Sequence, residues 1–150
     1  MDEAKFNEII DFAIDREKEA VTFYRELQVM VQFEHQKEVF KEFESMERGH
    51  IAILEGVRSK GAANIVVADV PNLKIADYLV EPKATAEMTY QDILITAMKK
   101  EERAQELYGT LAAQAGDAEA KTIFDKLASE EAKHKLHFEV IYDDEILKED

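Results

Sequence analysis

The chain has 150 residues, 46% apolar and 35% charged, with a formal net charge of −14; this suggests one domain large enough to bury about two-thirds of its unfolded surface. It contains no cysteine, which excludes disulfides, thiolate catalysis, iron–sulfur clusters and cysteine-ligated zinc and fits a reducing compartment. The acidic balance opposes binding to nucleic acid or anionic membranes, and no apolar run approaches the ~20 residues of a membrane span.

The chain opens MDEAKFNEII, acidic where a signal peptide would be basic and then apolar, so a cytoplasmic location is expected. With only five Gly and two Pro, composition points to long helices. Apolar spacing predicts the first at roughly 3–31, striped by Ile10, Ala13, Ile14, Ala20, Tyr24 and Leu27. A second is expected at roughly 35–59, with Phe40, Phe43, Ile51, Leu54 and Val57, and Gly61 as its stop. Residues 61–88 read differently: NIVVADV is β-branched between Gly61 and Pro71, and LKIADYLVE suits a short helix before Pro82. The third helix starts near Thr89, where Thr-x-x-Asp to Asp92 forms a capping-box pattern, and carries Leu94, Ala97, Ala104, Tyr108 and Leu111. Gly116-Asp117 ends it and caps a fourth, roughly 118–146, with Phe124, Leu127, Phe138 and Ile141. The expected domain is thus a helical hairpin (3–59), a connector (61–88) and a second hairpin (89–146). A connector of that length lets helix 3 run parallel to helix 2, as in four-helix bundles with one long crossover.

The hairpins repeat one another. At a single gap-free offset of 84, AIDREKEAVTFYREL (13–27) falls on AMKKEERAQELYGTL (97–111), and FKEFESMERGH (40–50) falls on FDKLASEEAKH (124–134). The offset pairs Glu17 with Glu101, Tyr24 with Tyr108, Glu47 with Glu131 and His50 with His134. Such a pattern is what a duplicated helical hairpin leaves behind.

The paired glutamates stand where apolar residues belong. Glu17 lies among Ala13, Ile14, Ala20 and Val21, and Glu101 between Ala97 and Ala104. Glu47 and His50 interrupt the stripe from Phe43 to Leu54, and Glu131 and His134 that from Leu127 to Phe138. Four carboxylates in a low-dielectric core repel one another and lose hydration worth several kcal/mol each. Some could stay protonated instead, but two divalent cations would balance all four. Glu-x-x-His puts an oxygen and a nitrogen on one side of a helix, and Glu from two helices plus Glu-x-x-His from two others is the pattern of di-iron and di-manganese bundles. The candidate ligands are Glu17, Glu47, His50, Glu101, Glu131 and His134. Tyr24 and Tyr108, two turns beyond Glu17 and Glu101, are candidate hydrogen-bond donors to ligand carboxylates. His137, three residues after His134, could join the site but is expected at the surface or behind the ligands; His35 is expected at the surface, and Met30, Met46, Met88 and Met98 as core filling.

In REKEAVTFY, MERGH, MKKEERAQELY and SEEAKH the chain resembles the rubrerythrin-type branch of the ferritin-like superfamily, and the likeness extends over nearly its whole length. The resemblance implies an all-α ferritin-like four-helix bundle holding two iron ions, with manganese or zinc as alternatives, and with Glu47 and Glu131 as bridges. It further implies reduction of hydrogen peroxide or O2. Rubrerythrins with a rubredoxin domain feed electrons through a cysteine-ligated iron; with no cysteine here, the electron donor is expected to be a separate molecule. In peroxidase-type rubrerythrins a further glutamate follows the first helix 3 ligand by three residues. Here that position is Ala104, and the ligand set looks closer to the symmetric bacterioferritin-like pattern. Iron handling or storage, and non-redox binding of zinc or manganese, are the other functions open at this stage. A homodimer is expected by analogy with ferritin-like bundles.

Overall fold

The computed structural model describes residues 3–60, 85, 87–115 and 118–147. Four long helices account for nearly all of them: α1 (Glu3–Met30), α2 (Glu34–Lys60), α3 (Tyr90–Gln114) and α4 (Ala118–Tyr142), followed by a π-helical turn over Asp143–Leu147. The expected capping box opens α3: the Thr89 hydroxyl accepts from the Asp92 amide at 3.1 Å, and the Thr89 amide donates to the Asp92 carboxylate at 3.2 Å. These bonds satisfy two donors that the first helical turn would leave open. The fourth helix stops being α-helical at Tyr142, short of the expected 146. Asp143, Asp144 and Glu145 place three acids at its C-terminal end, none of them buried, where the helix dipole disfavours negative charge. Gly61, Gly116, Asp117 and the readings of NIVVADV and LKIADYLVE lie outside the described residues.

Helices α1 and α2 form an antiparallel hairpin. Gln28 reaches Glu44 near the turn, while Arg58 reaches Asp11 at the far end, each at 2.8 Å. Across the bundle, Tyr24 meets Glu101 and Glu17 meets Tyr108, so α3 is antiparallel to α1 and therefore parallel to α2. It begins at the end of the bundle opposite to where α2 stops, the arrangement expected of one long crossover.

The core is divided along the bundle axis. One apolar cluster holds Phe6, Ile10, Leu54, Leu111, Phe124 and Leu127. The other holds Leu27, Phe40, Phe43, Leu94 and Phe138. Between them, at mid-bundle on every helix, lie Glu17, Glu47, His50, Glu101, Glu131 and His134, all buried. The stripes expected from sequence are those that pack, with Ala20, Ile51, Ala104 and Ile141 at their half-buried margins.

Candidate metal centre

Each helix brings one glutamate into the polar layer, and α2 and α4 each add a histidine one turn later. The six side chains are 1–4% exposed. His50 and His134 lie with their rings nearly parallel, 5° apart in plane and 6.0 Å between centroids. The Nδ1 of His50 is 2.7 Å from Glu131 Oε1, 3.6 Å from Glu17 Oε2 and 3.7 Å from Glu47 Oε1. On the other side, His134 Nδ1 is 3.2 Å from Glu47 Oε1 and 3.5 Å from Glu101 Oε2.

With the carboxyls ionised and both Nδ1 atoms unprotonated, none of these short separations is a hydrogen bond. Glu17 Oε2, Glu47 Oε1, Glu101 Oε2, Glu131 Oε1 and both Nδ1 atoms are buried with no hydrogen-bond partner. A buried polar atom left without a partner costs about 1–3 kcal/mol. Six together cost on the order of 10 kcal/mol, comparable to the whole stability of an ordinary domain. The donor atoms fall into two groups whose members lie within 4.8 Å of one another: Glu17, Glu47, His50 and Glu131, and Glu47, Glu101, Glu131 and His134. Glu47 and Glu131 belong to both. Four donors of this type would suit one divalent cation, so the two groups, sharing Glu47 and Glu131, could together hold two.

The opposite face of each outer glutamate is satisfied. The Tyr108 hydroxyl donates to Glu17 Oε1 at 2.6 Å, and the Tyr24 hydroxyl donates to Glu101 Oε1. Each tyrosine therefore serves the glutamate of the other hairpin, not the one on its own helix. Burial, followed by the charge of nearby glutamates, holds both phenols well above their usual range. They stay protonated at any physiological pH and act as fixed donors. One tyrosine enters from each apolar cluster, so the polar layer is closed at both ends.

Sequence reasoning missed Glu130, whose Oε2 accepts a 2.6 Å hydrogen bond from His50 Nε2. It also placed Met46 in the core, whereas that side chain is 42% exposed. Among the described residues, His137 and His35 belong to neither donor group, as expected. His137 is exposed with its ring edge-on to Phe43 at 5.3 Å, and His35 sits 3.0 Å from Glu145 at the bundle end.

Burial and then the neighbouring glutamates push the Glu47 and Glu131 carboxyls well above the ordinary 4.5. His50 is raised from 6.5 because Glu17 and Glu130 outweigh its burial. For Glu17, burial alone would act upward, but His50, Glu47 and Tyr108 together bring its carboxyl below 4.5. Groups raised on folding bind more protons in the folded than in the unfolded chain, so their contribution falls as pH rises from about 4.5 through the raised values. Glu17 contributes the opposite slope, but only below about 4.5. Metal-free protein is therefore expected to melt higher at about pH 5.5 than at about pH 8, by about 3 °C for each kcal/mol of proton linkage. Thermal melts of metal-free wild type and of Glu47→Gln/Glu131→Gln check this. The double variant should lose most of the slope; an unchanged slope would contradict the assignment.

A model of the rubrerythrin family matches residues 8–142. A hypothetical protein from Pyrococcus furiosus superimposes with a TM-score of 0.70 at 25% identity, over 91% of this chain and 87% of that one. A protein from Thermotoga maritima described as ferritin-like and diiron-carboxylate superimposes with a TM-score of 0.69 at 22% identity, over 93% and 94% of the two chains. No curated protein matches the chain at a significant level. No helix among the described residues is long and apolar enough to cross a membrane. The bundle is ferritin-like, and the chain belongs to the rubrerythrin family.

Proposed function

We propose that the polar layer holds two iron ions and that the protein is an oxidoreductase that reduces hydrogen peroxide or O2 with electrons from a separate donor. The observation that carries this reading is the convergence of six buried, partnerless donor atoms into two groups sharing Glu47 and Glu131. Glu17 and His50 complete one subsite and Glu101 and His134 the other. Two divalent ions held there would neutralise the four carboxylates and offer the orphaned atoms partners. When bound, the iron pair supplies two electrons and Lewis acidity.

The protein's own residues set the conditions for that chemistry. Tyr24 and Tyr108 fix one oxygen of Glu101 and of Glu17, leaving the other to face the centre. The apolar clusters on both sides keep bulk water out and the local dielectric low. A small cavity reaches the layer between α1 and α3. It is bordered by Ala20 and Ala104 and floored by Glu17, Glu47, Glu101 and Glu131. Its volume of about 30 Å³ is room for about two waters, enough for O2 or peroxide. The methyl group of Ala104, standing where peroxidase-type rubrerythrins carry a glutamate, helps to leave that space open. Metal ligation by the six residues, the cytoplasmic setting, the separate donor and a homodimer are all parts of the proposal.

Rapid mixing tests it. Anaerobically iron-loaded protein given hydrogen peroxide should consume one peroxide for every two Fe²⁺ oxidised, at a rate at least 100-fold above that of a Glu47→Ala variant with the same total iron. Loaded wild type that consumes peroxide no faster than the variant would rule out the redox function and leave a metal-binding one.

A further inference from the structure

The internal repeat makes the two donor groups look interchangeable, but their surroundings are not. His50 Nε2 donates to Glu130 at 2.6 Å. At the offset of 84, the residue equivalent to Glu130 is Met46, a thioether that offers His134 no carboxylate. Met46, Glu130, His50 and His134 line the same open groove between α2 and α4. The other neighbours differ too. His134 packs edge-to-face with Phe43, centroids 4.7 Å apart, whereas the offset places Leu127, with no aromatic ring, at the position equivalent to Phe43. One histidine is thus held by a charged acceptor and the other by an aromatic ring.

We propose that Glu130 is a positioning residue for His50 and that it makes the two cation subsites unequal, the Glu17–Glu47–His50–Glu131 subsite filling first and holding its ion more tightly. The inference rests on the metal reading given above. A carboxylate on the outer nitrogen fixes the ring orientation, keeps the proton on Nε2 and leaves the Nδ1 lone pair aimed at the centre. Loss of such a partner typically costs 10–100-fold in metal affinity. The Glu130 side chain is 34% exposed, so replacing it does not open the core. The consequence is an ordered assembly, with a firmly held ion at His50 and a more exchangeable one at His134.

Zn²⁺ is the probe, added to metal-free full-length protein with a competing chelator. Imidazole NMR signals assigned to His50 and His134 report which subsite fills. Wild type should bind two Zn²⁺ in separate steps, with the first equivalent moving the His50 signals alone. Glu130→Gln should weaken the first step 10–100-fold and leave the second within about threefold. Glu130→Asp keeps the charge but shortens the reach, and should weaken the first step similarly; a general charge effect would instead spare Glu130→Asp and lower both steps in Glu130→Gln. Met46→Glu should tighten the second step. Two ions bound with equal steps, with both steps lowered alike, or with His134 responding first, would overturn this inference and leave the metal reading intact. Fewer than two ions bound by wild type would overturn both.

Discussion

Anaerobic loading of the metal-free protein with Fe²⁺ in excess of its two sites is expected to raise its melting temperature by about 15–30 °C. The metal-free bundle carries six buried donor atoms without partners and four carboxylates crowded between two apolar clusters. Those groups exist in the unfolded chain as solvated side chains with no common site, so cation binding is almost wholly binding to the folded state. At free metal about a thousandfold above the dissociation constant, each site contributes about 4 kcal/mol. Two such sites give about 8 kcal/mol, and a domain of this length gains roughly 2–4 °C per kcal/mol. Calorimetry at matched pH checks the value. A shift below about 5 °C would mean that the polar layer is not a high-affinity cation site.

Glu47→Ala is expected to abolish binding of both ions, while Glu17→Ala should remove only one. The contrast follows from Glu47 lying in both donor groups and Glu17 in one. Helix content should survive in both variants, because the two apolar clusters are untouched. At neutral pH, metal-free Glu47→Ala should melt no lower than metal-free wild type by more than about 3 °C, since the lost packing is offset by removal of a buried carboxyl whose charging is unfavourable. Elemental analysis with circular dichroism on the two variants checks the pair. Equal metal loss in both would remove Glu47 from its bridging position, and loss of helix content would make the stoichiometry uninformative for Glu47→Ala, leaving Glu131→Gln as the equivalent test.

Much of this was legible in the sequence because the hairpins repeat. The offset of 84 turns a common Glu-x-x-His into a matched set, and a glutamate at an apolar stripe position marks a buried charge that requires compensation. The spans of α1 and α2 followed from stripes, and the α3 start from the Thr89–Asp92 capping box, whereas the end of α4 was placed too late. What sequence could not supply was register between helices. Tyr24 and Tyr108 were placed two turns from Glu17 and Glu101 on the same face, which makes a contact with some carboxylate reasonable. Only the antiparallel packing of α1 on α3 decides that each reaches across to the other hairpin. Glu130 escaped for a related reason. It stands next to Glu131, but on a helix the following residue is rotated by about 100°, so it reads as a surface charge until α2 brings His50 alongside. Its signal was the broken symmetry at Met46, a mismatch inside an otherwise regular repeat.

A dinuclear site in the mid-bundle layer would fix how much metal each chain carries. The most direct test is the metal content of purified protein after anaerobic loading with excess Fe²⁺ and removal of unbound ions. Two irons per chain, falling to one in Glu17→Ala and to none in Glu47→Ala, is the predicted result. Fewer than one iron per chain in wild type, or the same content in all three proteins, would contradict it.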